Sequence, residues 1–275
     1  MKSNRTDLAA EFAAEISQKE TELIEEEYEG VGITKITLGK RGGKLIDKPA
    51  GRYVTIHCEN KDKISCGCAL AHYLGELLKP VLPWERVIVA GLGNEWVTPD
   101  SLGARSVHRI PATAHLSKRE EFHDLGLRPV YVFEMGVMGQ TGVESANYLS
   151  CLTEKILPAA MIVIDSLACS DPSRLCTTIQ LTDSGIAPGS GVGGSRKPLN
   201  SENMGTRVIA IGVPTVIDLE SAADTPAKSN MMVTPKNIDG LIKRYSDIIS
   251  QGINSALNPN LSREEMEMLM PDNMV

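Results

Sequence analysis

The sequence predicts an α/β fold: a three-layer α/β/α domain around a mostly parallel sheet, preceded by an N-terminal arm. Three observations predict it. Short aliphatic runs such as Val87–Ala90 and Met161–Ile164 have the unbroken apolar character of strands buried on both faces. They alternate with segments of helical periodicity. The 24 glycines and 15 prolines supply turns between them, and the 4% aromatic content requires an aliphatic core.

Taken in order, Leu8–Tyr28 has a partial apolar stripe (Leu8, Phe12, Ile16, Leu23, Ile24) and predicts an acidic helix. Val31–Leu38 alternates as a strand, Gly39–Ala50 is a basic, glycine-rich turn region, and Tyr53–Cys58 is a second strand. Ala69–Leu78 continues a helix that Pro80 and Pro83 stop. Strands follow at Val87–Gly91, Val130–Phe133, Met161–Ile164, Thr177–Leu181 and Val208–Val213, with a helix at Val143–Leu157. Ile238–Leu257 is amphipathic, and Ser262 with Glu265 forms a capping box. The expected organisation is residues 1–7, an arm over 8–50, one α/β/α domain over 51–258 and a tail over 259–275.

A chain of 275 residues supports one sizeable core. The net charge of −7 argues against direct nucleic-acid binding, which needs a basic face. Met1–Asp7 leads into no apolar signal region, and no run is long enough to cross a bilayer. The expectation is a cytoplasmic protein without a membrane partner. Its six cysteines are then reduced thiols.

Asp100 and Asp165 each lie just past a buried apolar run. Ligands of open α/β sheets bind beyond the carboxyl ends of the strands. Two carboxylates at that edge can share a proton and activate a water, which suggests hydrolysis without a nucleophilic serine or cysteine. Each aspartate alone is equally at home as a turn or helix cap. Asp183 also ends a strand and is read first as a loop-structuring residue, second as a third acid at the site on a substrate loop. The loop at Gly136–Gly142, with Gly139, Thr141 and Gly142, and the stretch from Gly189 through Gly191 to Gly194 are candidates to offer backbone N–H groups to a substrate.

The second of these stretches matches GxGxxG, but Pro198 follows where a dinucleotide fold needs a running helix. Cys66-Gly67-Cys68 lacks a second ligand pair, so no metal and no cofactor are expected. Cys169 or Cys176 with His108 or His115 would make a nucleophilic pair, but no local signature supports one.

Several ordered blocks resemble the germination protease family. They are Gly91-Leu92-Gly93-Asn94 with Val97-Thr98-Pro99-Asp100-Ser101-Leu102-Gly103, then Gly136–Glu144, and then Ile164-Asp165-Ser166-Leu167-Ala168. Thr178–Ile186, Pro188–Gly193, Ala210–Asp218 and Met232–Lys236 continue the likeness, which runs from Arg52 to about Leu257. Arg5-Thr6-Asp7-Leu8-Ala9 is similar to the family's N-terminal processing region.

The resemblance implies an atypical aspartic endopeptidase with a fold like that of hydrogenase maturation proteases. Its substrates would be the small acid-soluble, DNA-coating proteins of the spore core. The enzyme would be made as a zymogen, assemble as a homotetramer and act on itself. Asp100 and Asp165 correspond to the catalytic aspartates and the Asp7–Leu8 bond to the propeptide cleavage site. An acidic residue before the scissile bond calls for a cation, with Arg105, Arg128, Arg174, Arg196 and Lys197 as candidates. Two departures stand out. Ala187 occupies a position where many members carry histidine, which lowers any expectation of a metal. Leu219–Asn230 replaces a longer insertion, which removes whatever oligomer contacts that insertion makes. The alternative functions are a nucleotide-binding or phosphorylase-like α/β protein and a non-catalytic spore component.

Overall fold

Strand β4 (Val87–Leu92) is buried at every residue, as expected of a parallel strand covered on both faces. It lies between β5 (Val130–Met135) and β6 (Ala160–Cys169), parallel to both, and β6 continues the parallel set to β8 (Arg207–Asp218). This computed structural model describes residues 6–11, 21–189, 196–223 and 231–269.

Antiparallel strands extend the sheet beyond β8. β7 (Thr178–Thr182) pairs with β8, β3 (Gly51–His57) with β7, β2 (Val31–Leu38) with β3, and β1 (Thr21–Tyr28) with β2. The order is β1-β2-β3-β7-β8-β6-β4-β5, and β9 (Met232–Val233) adds to the far end of β8.

The helices are α1 (Lys40–Leu45), α2 (Lys63–Leu78), α3 (Leu102–Val107), α4 (Glu120–Asp124) and α5 (Met138–Thr141). After them come α6 (Ser145–Ile156), α7 (Ser201–Met204), α8 (Leu219–Ala223), α9 (Ile238–Leu257) and α10 (Arg263–Met268). Alternation along the strands divides the core. Val87, Val89, Ile162, Ile164, Ile209 and Ile211 face α2 and α9. Ile88, Ala90, Met161, Val163 and Val208 face α6 and α7. The expected three layers are therefore present, and α9 has the predicted bounds. Ser262 and Glu265 form the predicted capping box.

Three expectations need correction. The helix expected over Leu8–Tyr28 is absent from its described parts: Ala9–Glu11 is a 3-10 turn and Thr21–Tyr28 is β1. Glu29 (φ 49) and Gly30 (φ 79) close a two-residue hairpin onto β2, so cross-strand pairing overrides the helix propensity of the glutamates. Within the turn region expected at Gly39–Ala50, Lys40–Leu45 forms α1. Both central strands also outrun their predicted ends. β6 continues from Ile164 to Cys169 and β8 from Val213 to Asp218, past a register shift at Leu167/Ala168 where Pro214 enters the ladder. Proline lacks the ladder N–H, and the irregularity accommodates it.

Candidate active site

Asp165 lies within β6, not after it, because β8 keeps pairing beside it. The β4 register stops at the Gly91–Ile164 pair, so Asp165 is the first β6 residue beyond β4. The edge position read from the sequence is thus real with respect to β4. By alternation Asp165 shares its face with Met161 and Val163, and it is 5% exposed. Its Oδ1 accepts from the Ser166 N–H at 2.9 Å.

Asp100 reaches this level because the chain folds back over the end of β4. Gly93 has φ +112, and a Cβ there would stand 2.0 Å from the Asp100 carbonyl oxygen. Only glycine permits both the backbone angle and the approach. The Asn94 N–H then donates to Asp100 Oδ2 at 2.9 Å and to the Asp100 carbonyl at 3.2 Å. Asn94 Oδ1 in turn accepts from Gln140 Nε2 at 2.7 Å, tying the Gly136–Gly142 segment to the Asp100 loop.

Burial raises Asp165 well above the usual carboxylate range, and the neighbouring charges of Asp100 and Asp7 raise it further. Burial also raises Asp100, opposed by the Asn94 N–H and the charge of Arg196. Two carboxyls that sense each other in a dry site favour a singly protonated pair. Asp165 is the more buried of the two.

The segment Thr6–Glu11 is laid against this site. The Asp7 N–H donates to the Ala168 carbonyl, and the Ala168 N–H donates to Asp7 Oδ2, both at 2.9 Å. Leu8 is 1% exposed and packs on Leu167, Cys169 and Ile217. Gln180 Oε1 accepts from the Ala9 N–H at 3.0 Å, and its Nε2 donates to the Asp7 carbonyl at 3.4 Å. Lys48 Nζ donates to the Thr6 carbonyl at 2.7 Å. Burial lowers the Lys48 ammonium, while Asp7, Asp47 and Glu11 pull the other way. A cleft of about 820 Å³ opens beside the segment, with Asp7, Lys48, Tyr53, Gln180 and Ala187 among its walls. Burial pushes the Tyr53 hydroxyl up to about 12.

The structure brings Asp7, Leu8, Asp100 and Asp165 into one region, whereas Arg128 precedes β5 at the opposite end of the parallel strands. Gly139 and Thr141 belong to α5, and Gly142 caps it with φ 71. Asp183 accepts from Arg52 N and Arg52 Nε, both at 2.8 Å, at the β3–β7 edge. Gly189 closes a described turn with φ 73, whereas Gly191 lies outside the described residues. Arg128 donates to the Leu82 and Leu257 carbonyls, and Arg174 pairs with Asp171. Among the described residues no group of three His, Cys, Asp or Glu side chains is arranged to hold a metal.

Sequence reading missed Lys48 and Gln180. Lys48 is one of several cations in the basic, glycine-rich stretch Gly39–Ala50, whose composition predicts only a turn. Gln180 was hidden in a strand whose alternation marks it as facing out of the α2–α9 core, towards the cleft.

Comparison with known proteins adds a consistent result. Residues 4–225 match the family model described as germination protease. The chain is 37% identical to a germination protease of Caldanaerobacter subterraneus subsp. tengcongensis, over 97% of this chain and 98% of that one. It is 33% identical to one from Clostridium perfringens, over 97% and 98% of the two chains. With one from Bacillus cytotoxicus it shares 35%, over 90% of this chain and 69% of the other. Among solved structures it aligns with the NiFe hydrogenase maturation protease HycI of Thermococcus kodakarensis at a TM-score of 0.40 and 16% identity, over 67% of this chain and 98% of that one.

Proposed function

The chain belongs to the germination protease family, and from that membership we propose that Asp100 and Asp165 form its hydrolytic pair. It is a peptide-bond hydrolase with a role in spore germination. In the proposed reaction Asp100, ionised, takes a proton from a water as the water attacks the scissile carbonyl carbon. Asp165, protonated, donates a hydrogen bond to the carbonyl oxygen. When the tetrahedral intermediate collapses, the carbon–nitrogen bond breaks and the amine nitrogen takes its proton from the pair. Acid/base assistance of this kind contributes about 10²–10⁴-fold in rate.

The single observation carrying this reading is electrostatic. A buried Asp165 is raised by its own desolvation, by Asp100 and by Asp7, in the same place that a stretch of peptide is held. The protein substrates are small acid-soluble spore proteins in the spore core. The chain is its own first substrate at Asp7–Leu8, and it works as a homo-oligomer. Lys48 is the cation that reads the acidic residue before the cut. It is half-buried, bonds the preceding carbonyl and is acted on by the Asp7 charge. The test is cleavage of a purified small acid-soluble spore protein by Asp100→Asn and Asp165→Asn. Wild-type turnover by either variant removes the pair.

A further inference from the structure

Gln180 and Asp165 project from the same face of the sheet. Asp165 is in register with Gly212 of β8, and Gln180 of β7 is in register with the same Gly212 from the other side. The three residues form one cross-strand row, with the outer two about 10 Å apart at Cα, two strand spacings. The central position carries no side chain. A Cβ on Gly212 would stand 2.5 Å from Leu167 Cγ, so Leu167 occupies that space and supports Leu8.

The Gln180 carboxamide makes two bonds that straddle Leu8. Its Nε2 donates to the carbonyl oxygen of Asp7, and its Oε1 accepts the N–H of Ala9. Those are the carbonyl of one residue and the N–H of the residue two further on. In a parallel ladder, the N–H and C=O of one residue pair with a carbonyl and an N–H of the neighbouring strand at this same spacing. A primary carboxamide carries the same donor and acceptor and addresses only backbone atoms. Gln180 is itself 5% exposed.

We propose that Gln180 is a catalytic residue of this enzyme: its amide donates to the scissile carbonyl oxygen and holds the substrate backbone across the bond to be cut. The inference rests on the aspartate-pair reading with cleavage at Asp7–Leu8. When water adds to the Asp7 carbonyl carbon, the carbonyl π pair moves onto the oxygen. The Gln180 Nε2–H then faces a developing anion in a water-poor site. Such a donor gains strength as the charge grows, and one of them is typically worth about 10²–10³-fold in turnover. Gln180 gives up no proton, and the amine still takes its proton from the aspartates. The second bond, to Ala9, fixes the second residue past the cut on the amine side. Recognition through backbone atoms leaves side-chain selection to Lys48 and to the apolar seat of Leu8.

The experiment follows first-order self-processing of the full chain, read by intact mass, in Gln180→Glu, Gln180→Met and Asp165→Asn. Amide exchange at Leu8 and Ala9 in the uncleaved protein reports docking of the segment. Gln180→Glu keeps the acceptor for Ala9 and loses the donor to Asp7. It should leave exchange protection as in Asp165→Asn while slowing processing about 100-fold. Gln180→Met, lacking both bonds, should be at least as slow. Wild-type processing by Gln180→Glu overturns the inference, as does slowing that appears only where docking is lost. If Asp165→Asn processes normally, the aspartate-pair reading falls instead. An inert Asp165→Asn beside fully active Gln180 variants removes the Gln180 role alone.

Discussion

Asp165 and Gln180 are separated by one residue across the sheet, each in register with Gly212. Fifteen positions apart in sequence, they share one face of the sheet because β6 and β7 flank β8. Thr6–Glu11 is bonded to both strands, through Ala168 of β6 and Gln180 of β7. Four predictions follow from this arrangement and from the charges around it.

Asp165→Asn should abolish hydrolysis and stabilise the fold at neutral pH. Its carboxyl is raised in the folded state, so the native protein holds a proton that the unfolded chain releases above about pH 3.9. Stability is therefore fully retained below that value and lost as pH rises towards the folded pKa. The amide removes this loss. Thermal melts from pH 4 to 8 should show the variant's advantage growing with pH, by about 2–4 °C for each kcal/mol. A constant difference across the range contradicts the assignment.

Lys48→Met should slow processing at Asp7–Leu8 about 10–100-fold, the range expected for a lost charge-assisted hydrogen bond. Lys48→Arg should recover part of the rate. Competition between peptides with Asp or Asn before the cut measures the selectivity, which the methionine variant should lose.

Gly93→Ala should cost both stability and activity. The residue has φ +112, and the new methyl would overlap the Asp100 carbonyl. Left-handed strain alone costs of order 1–3 kcal/mol. The Asp100 loop must then shift, so turnover should fall further than the melting temperature suggests. Wild-type kcat in a folded variant would show that Asp100 tolerates displacement.

Gln140→Ala cuts the link from α5 to Asn94 Oδ1 and also the exposed bond that Gln140 Oε1 accepts from the Val137 N–H. Since Asn94 N–H holds Asp100, the variant should lower kcat modestly, about 3–10-fold, as for one exposed hydrogen bond. Its stability should stay within about 0.5 kcal/mol of wild type. Steady-state kinetics beside a urea titration separates the two effects.

Much of the framework was legible because parallel strands announce themselves. Val87–Ala90 and Met161–Ile164 are buried on both faces and carry no polar residue, and α9 keeps its stripe for its whole length. The failures have physical causes. Thr21–Tyr28 is rich in glutamate and mostly exposed, and only pairing with β2 makes it a strand. Glu29-Gly30 was the available hairpin signal. Pro214 reads as a strand terminator, yet a local irregularity lets β8 pass it. That continuation gives Ala168 its place beside Asp7. The two aspartates were visible through their edge positions and neighbouring blocks. Lys48 and Gln180 became visible only once the N-terminal segment was seen seated on the sheet, since nothing local distinguishes them.

The central claim is that one buried carboxyl, Asp165, acts with Asp100 on a bond held beside it. Intact-mass analysis of the Asp165→Asn chain, incubated beside wild type, tests it most directly. The account predicts a new terminus at Leu8 for wild type and an uncut chain for the variant over the same period. A variant that releases residues 1–7 at the wild-type rate would contradict it.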